Sequence, residues 1–120
     1  MAARAIPDTE QVIRTFVRRL NRVFPLEAVF LYGSHARGWQ DAWSDIDLAV
    51  VSRRFDRASR ATWEAVRRIA HAISPILDAR PFGAREFARY ERGDFVHEIH
   101  RTGKQIYRNG RFAVAGARGY

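Results

Sequence analysis

Three carboxylates, Asp41, Asp45 and Asp47, follow a glycine-serine pair, Gly33 and Ser34, within the stretch LYGSHARGWQDAWSDIDLAVV. Asp45 and Asp47 are one residue apart in an otherwise aliphatic run, so in a β-strand both side chains would project from one face. Two carboxylates spaced by about 7 Å along a strand repel each other unless a positive group lies between them. A divalent cation would remove this repulsion, because Mg²⁺ prefers hard oxygen ligands. The alternative is that the two acids cap a helix or pair with some of the chain's many arginines.

Gly33 and Ser34 come directly after the apolar run LEAVFLY, at the point where a strand would end. Glycine lets the backbone approach a ligand closely, and the free amides of such a turn, with a serine hydroxyl beside them, can bind phosphate oxygens. An ordinary glycine turn with a serine helix cap is the alternative. A phosphate-binding turn on one strand and an acid pair on the next together predict a site for a nucleoside triphosphate and Mg²⁺.

A third acid, Asp78, lies in the short apolar segment ILDAR. If this segment is a strand beside the one that carries Asp45 and Asp47, three carboxylates meet at one place. Such a group can hold two metal ions, one to activate an incoming hydroxyl and one to neutralise a leaving pyrophosphate. The alternative is a strand-end acid that pairs with Arg80.

The pattern of apolar residues predicts the elements that must position these groups. Asp8 is expected to cap the first helix, and Pro25, Gly33 and Pro81 interrupt the periodic segments. The predicted fold is α/β, a small mixed β-sheet flanked by helices, in one domain over residues 1–109 with a flexible tail over 110–120. The predicted helices are 8–23, 59–73, 84–92 and 95–102, and the predicted strands are 26–32, 45–51, 76–80 and 104–107.

Composition excludes several classes of protein. The chain of 120 residues has no cysteine, which rules out disulfides, thiolate metal sites and cysteine nucleophiles. No apolar run approaches about 18 residues, so a membrane span is not expected, and the polar N-terminus does not resemble a secretory signal; the expected location is the cytoplasm. The net charge of +8 indicates affinity for polyanions, but the arginines are dispersed in pairs along the chain, which favours solvated helix faces.

The spacing of Gly33 and Ser34, ten further residues and then Asp45-x-Asp47 resembles the motif of the DNA polymerase beta-like nucleotidyltransferase superfamily. The fuller string GSHARGWQDAWSDIDLAVV is similar to the smallest branch of that superfamily, the minimal nucleotidyltransferases. The resemblance extends over residues 29–109. It includes Asp78 and the closing segment EIHRTGKQIYRNG.

The resemblance implies a mechanism and a role for each residue that matches the motif. The triphosphate of ATP would be bound by Gly33 and Ser34, with Arg37 touching phosphate or ordering the loop and Ser44 supporting the acids. Two Mg²⁺ ions would be coordinated by the catalytic residues Asp45, Asp47 and Asp78, and the last of these would help to deprotonate an acceptor hydroxyl. Asp41 has no counterpart in the motif and is interpreted as a solvated loop acid.

The resemblance also implies a partner. Minimal nucleotidyltransferases typically accompany small helical ribonuclease toxins of the HEPN type, and the expected function is an antitoxin that transfers AMP from ATP to a tyrosine of that toxin, in a homo- or hetero-oligomer. Two alternatives stay open. One is a catalytically inactive antitoxin or nucleotide-binding module that acts by complex formation. The other is a nucleic-acid-binding module, which ranks last because no aromatic residues alternate with the basic ones as a stacking surface requires.

Three other groups of residues attract attention. His97 and His100 are three residues apart on a predicted helix, a spacing that can bind a metal, but without a third ligand they are interpreted as surface histidines. Trp39 and Trp43 could stack on a base or anchor the loop. Lys104 is a further candidate for nucleotide contact.

Overall fold

The computed structural model describes residues 8–33, 36 and 45–113 of the chain. These residues form an α/β fold, as predicted, with a five-stranded mixed sheet and helices on both faces. In chain order the elements are α1 (Thr9–Val23), β1 (Ala28–Tyr32), β2 (Ile46–Ser52), a 3₁₀ turn (Arg53–Phe55), α2 (Arg60–Ile73), β3 (Leu77–Gly83), α3 (Ala84–Ala88), α4 (Phe95–Thr102), β4 (Lys104–Arg108) and β5 (Arg111–Phe112).

The strands are ordered β3-β2-β1-β4-β5, and among the strands of the described residues only the β2–β3 pair is parallel. The strand β2 lies between β1 and β3 and is covered on both faces, which explains its nearly continuous aliphatic sequence. Its side chains alternate between the two faces as predicted. Leu48 and Val50 belong to the core on one side of the sheet, and Ala49 and Val51 to the core on the other.

The larger core lies between the sheet and the helices α1 and α2. Each buried Leu, Ile or Phe side chain in it contributes about 1.5–3 kcal/mol through the removal of apolar surface from water. Its fully buried residues include Phe16 and Leu20 of α1 and Val66 of α2. The smaller core lies on the opposite face, beneath α3 and α4, and contains Tyr32, Ala49, Val51, Phe82, Phe87, Val96 and Ile99.

The helix α1 begins as the sequence predicts, because the Asp8 carboxylate accepts a hydrogen bond of 3.2 Å from the Gln11 amide. The predicted helix 84–92 is shorter than expected and ends at Ala88. The imidazole Nε2 of His100 lies 3.0 Å from the Phe87 carbonyl oxygen, and the Glu91 amide, which a longer helix would direct to that carbonyl, donates to the Asp94 carboxylate instead. A tertiary contact therefore ends this helix.

The strand β3 extends further than the sequence predicted, and β5 is a strand that the sequence analysis did not predict. The strand β3 continues through Pro81 to Gly83, which is possible because β3 is at the edge of the sheet and a proline there removes no hydrogen bond from the interior. After β4, Asn109 and Gly110 both have positive φ (45° and 92°) and turn the chain into β5. The prediction that a flexible tail begins at residue 110 is therefore wrong for residues 110–112, which form the turn and β5. Residues 114–120 lie outside the described residues.

None of the helices that the structure describes has both the length and the apolar character needed to cross a bilayer.

Candidate active site

Three side chains lie next to one another across the sheet near the start of β2. The antiparallel pairing of β1 with β2 places Tyr32 opposite Asp47, and the parallel pairing of β2 with β3 places Asp47 opposite Asp78. Neighbouring strands are about 4.8 Å apart, so residues in register have side chains within reach of each other. The predicted proximity of Asp78 to the acid pair is therefore realised at Asp47.

The two central carboxyl groups interact directly. When the Asp47 carboxyl is protonated, it is hydrogen-bonded to the carboxylate of Asp78. Burial raises the pKa of Asp47 to about 6, helped by the negative charges of Asp78 and Asp45 and opposed by the positive charge of Arg80. The site therefore has a shortage of positive charge, which is typical of a place that binds a cation.

Asp45 occupies a different position from the other two acids. It precedes the first residue of β2 and is exposed, whereas Asp47 and Asp78 are half-buried. Among the described residues, no group of three acidic or histidine side chains has the geometry of a complete metal site. Asp47 and Asp78 form the central pair, and the negative charge of Asp45 reaches Asp47 from the edge of the site.

Gly33 brings the end of β1 against the acid pair. Its φ of +73° lies in the left-handed region that glycine tolerates and other residues disfavour. A Cβ at this position would collide with a carboxylate oxygen of Asp47. Glycine is needed at this position for two reasons: the backbone turn requires it, and a side chain would take the space that the Asp47 carboxylate occupies.

Tyr32 is a site residue that the sequence analysis missed. The side chain is buried, with 8% of its surface exposed, and its hydroxyl has no hydrogen-bond partner among the described residues. Burial raises the pKa of Tyr32 well above its ordinary value, so the hydroxyl stays protonated and can donate. The sequence offered one signal for this role, the position of Tyr32 directly before Gly33. Its neighbour across the sheet, however, depends on the register of β1 with β2.

Arg80 and Phe95 form the edge of the site on the side of α4. Arg80 is two residues after Asp78 on β3 and therefore shares its face. The Arg80 guanidinium carbon lies 5.4 Å from the centroid of the Phe95 ring, and that ring meets Tyr32 edge-to-face at 5.4 Å. Phe95 is 46% exposed. An aromatic surface and a cation thus lie beside the acid pair, a combination that sequence spacing did not reveal.

Several residues that the sequence analysis considered for the site lie outside the described residues: Ser34, Arg37, Trp39, Trp43 and Ser44. Asp41, which was interpreted as a solvated loop acid, lies outside them too. Their predicted roles stay predictions. Lys104 is the first residue of β4, opposite Leu31.

The two histidines are used within the fold. The Gly93 amide donates to Nδ1 of His97 at 3.2 Å, and His100 is stacked on Tyr90 with ring centroids 4.5 Å apart. Both residues were interpreted as surface histidines, and these contacts add a structural role that the sequence analysis did not predict.

A small mixed sheet that carries a carboxylate pair on adjacent parallel strands, beside a glycine turn, is the architecture of a nucleotidyltransferase domain. The family model described as "Polymerase beta, Nucleotidyltransferase" matches residues 11–111. The chain therefore belongs to the polymerase beta-like nucleotidyltransferase family.

Solved structures with the same fold include a protein of Sulfolobus solfataricus described as a nucleotidyltransferase, at 20% identity and a TM-score of 0.63, covering 87% of this chain and 84% of that one. A toxin–antitoxin structure with AMP-PNP matches at 22% identity and a TM-score of 0.54, over 81% of this chain and 73% of the other. The MntA-HpeT toxin–antitoxin, in a mutant form, matches at 24% identity and a TM-score of 0.52, over 85% and 72%. These similarities establish the shared fold. No curated protein matches the sequence.

Proposed function

We propose that this protein is a Mg²⁺-dependent nucleotidyltransferase that moves AMP from ATP to a hydroxyl group of a partner protein. The observation that carries the proposal is the pair formed by Asp47 and Asp78, in register on parallel strands and directly against the Gly33 turn. A carboxyl group whose pKa is raised by burial and by a neighbouring carboxylate, as that of Asp47 is, fits a site that functions with bound cations.

The oxygen ligands that the site offers are suited to magnesium. Asp47 and Asp78 would hold the ion between them, with Asp45 contributing from the edge, and Gly33 leaves the Asp47 carboxylate the space to do so. Bound there, magnesium would neutralise negative charge on the triphosphate and make the acceptor hydroxyl more acidic.

The chain's own residues account for the remaining parts of the reaction. The backbone turn at Gly33, with Ser34 and Arg37, would bind the triphosphate, and Ser44 would support the acid pair. The Asp78 carboxylate would take the proton of the acceptor hydroxyl as its oxygen attacks the α-phosphorus. A bond from the acceptor oxygen to the α-phosphorus forms, the bond from that phosphorus to the bridging oxygen breaks, and pyrophosphate leaves.

For the acceptor, we propose a tyrosine of a small helical HEPN-type toxin, which would make this protein a cytoplasmic antitoxin. Two of the similar structures are described as toxin–antitoxin structures, and one of them as containing AMP-PNP, an ATP analogue. The exposed Phe95 ring beside the acid pair offers an apolar contact for an incoming aromatic side chain. This surface supports a protein acceptor over a small polar one.

Co-expression with the candidate toxin tests the proposal against a catalytically inactive antitoxin. If AMP transfer is the mechanism, the double variant Asp45→Asn with Asp47→Asn loses both the transfer of label from ATP to the toxin and the protection of the cell. If the double variant still protects the cell, and if the wild-type protein places no label on the toxin, the protein acts by complex formation instead. A native complex on size-exclusion chromatography is the control that the variant still binds.

A further inference from the structure

A second charged site lies at the other end of the sheet from the acids. The parallel strands β2 and β3 both begin near the acid pair, and both end at a cleft of about 700 Å³. Ser52 is five positions after Asp47 on β2, so the two sites are roughly 16 Å apart along the strand. The cleft is lined by Glu27, Arg53, Arg54, Asp56, Arg57, Ala84, Arg85, Ala88 and Arg89.

The fold produces this cleft from arginines that are far apart in the sequence. One group is in and directly after the turn that follows β2. The other is on α3, which follows β3 directly, and at the residue after its end. Because β2 and β3 are parallel and adjacent, the segments that follow them emerge at the same edge of the sheet. The side chains of Arg54, Arg57, Arg85 and Arg89 are exposed there.

The two carboxylates of the cleft already have partners. Glu27 forms an ion pair of 3.2 Å with Arg53. The Asp56 carboxylate accepts a hydrogen bond of 2.9 Å from the backbone amide of Arg85, and it packs so closely against Gly83 that a Cβ there would collide with it. Both acids therefore serve the local structure. The guanidinium groups of Arg54, Arg57, Arg85 and Arg89 have no ion pair with any carboxylate of the described residues.

We propose that this cleft binds a ligand with clustered phosphate groups, such as a nucleic acid backbone or a free oligophosphate. The planar guanidinium fork is suited to phosphate oxygens, and the cleft volume is that of a small-molecule site. Several guanidinium groups that share such a volume favour a ligand of high negative charge density. Successive phosphates provide that density better than the carboxylates of a peptide, each of which brings a single charge on a separate side chain.

The side chains that line the cleft restrict the class of ligand further. No aromatic side chain is among the described residues that line it, and its apolar contacts come from Ala84 and Ala88. Base stacking, which carries much of the affinity in many single-strand sites, has no surface here. The ligand is recognised by its phosphates, independently of base sequence.

Binding of tripolyphosphate and of a single-stranded RNA of about twelve nucleotides to the full chain tests this proposal. The titrations, by calorimetry and by fluorescence anisotropy, are done at low salt without Mg²⁺ and with EDTA. These conditions remove metal-dependent binding at the ATP site. The double variant Arg54→Ala with Arg57→Ala is expected to weaken binding of both probes about tenfold or more. The dependence of RNA affinity on salt should also become shallower, by about 0.7 in the log–log slope for each phosphate that the variant no longer neutralises.

The matched control is Arg67→Ala with Arg68→Ala. This variant also removes two positive charges, but from the exposed face of α2, outside the cleft. Its affinity for both probes should stay within about twofold of the wild type.

Binding of tripolyphosphate alone would assign the cleft to a free oligophosphate, and binding of both probes would assign it to a nucleic acid backbone. Equal losses in the two double variants, no binding of either probe, or tighter binding of an acidic peptide would overturn the proposal. AMP transfer should be unchanged in the variant Arg54→Ala with Arg57→Ala. The test of the cleft is therefore independent of the proposed activity.

Discussion

The carboxyl groups of Asp47 and Asp78 face each other across two parallel strands and are near enough to share a proton. This arrangement is costly for the fold at neutral pH, because two half-buried negative charges repel each other. It is useful when a cation lies between them. The most direct predictions concern what happens when one member of the pair, or the space around it, is changed.

Asp47→Asn should stabilise the protein near pH 7.5 in buffer with EDTA. The folded-state pKa of about 6 lies above the ordinary value of 3.8, so the favourable contribution of the protonated form is complete below pH 4 and is lost as the pH rises through 6. Asparagine removes the charge that causes this loss. We expect a gain on the order of 1 kcal/mol at pH 7.5, allowing for solvent screening.

Thermal unfolding of the wild type and the variant at pH 4.5 and pH 7.5 measures the effect. The difference in free energy of unfolding should shrink at the lower pH, where Asp47 is already protonated. An Asp47→Asn variant that is less stable than the wild type at pH 7.5 would contradict the charge repulsion inferred here.

Magnesium should stabilise the wild type through the same pair. A ligand that binds only the folded state raises the midpoint of thermal unfolding, and its stabilisation grows with the logarithm of one plus the ratio of its free concentration to Kd. We expect Mg²⁺ with ATP to raise the midpoint of the wild type at pH 7.5 and to have little effect on Asp78→Asn. Differential scanning fluorimetry with Mg²⁺ titrated at constant ionic strength makes the comparison. Equal shifts in both proteins would show that the ion binds elsewhere.

Gly33→Ala should abolish AMP transfer and destabilise the fold. Alanine at a φ of +73° costs about 1–2 kcal/mol, and its Cβ would also displace the Asp47 carboxylate. Gly93→Ala is the matched control, because Gly93 has a φ of +91° but open space where the Cβ would be. The control should lose similar stability from the backbone alone and keep its activity. Comparable activity in the two variants would refute the steric role of Gly33.

Tyr32→Phe should retain or slightly raise the free energy of unfolding, by up to about 1 kcal/mol. The hydroxyl is buried and has no hydrogen-bond partner among the described residues, so its removal gives up no such bond within them. AMP transfer should fall several-fold, because this hydroxyl is a donor available to a substrate beside the acid pair. Urea unfolding and initial rates measure the two effects. A marked loss of stability with unchanged activity would assign Tyr32 to the core alone.

The sequence was sufficient to predict the sheet with its helices and the meeting of Asp47 with Asp78. The aliphatic run of β2 identifies a strand buried on both faces, and a charge in such a run requires a reason. The side chains that complete the site were harder to predict. Tyr32 is next to Asp47 only because β1 and β2 pair in one register, and a shift of one residue would place it on the other face.

The arginine cleft illustrates the same limit. In the sequence, Arg54 and Arg57 are about thirty residues from Arg85 and Arg89, and such dispersal favoured solvated helix faces. The parallel pairing of β2 and β3 places these arginines at one edge of the sheet. Local sequence also could not indicate that His100 would end α3, since the contact joins residues thirteen positions apart.

The position of the label in ATP is the sharpest test of AMP transfer by the acid pair. The wild-type protein, Mg²⁺ and the candidate toxin are incubated with ATP labelled at either the α- or the γ-phosphate, and the toxin is then isolated and its modified residue mapped. We expect the α-label to stay on a toxin tyrosine, the γ-label to leave with pyrophosphate, and Asp47→Asn to transfer neither. Transfer of the γ-label, or transfer of the α-label that persists in Asp47→Asn, would contradict the proposed function.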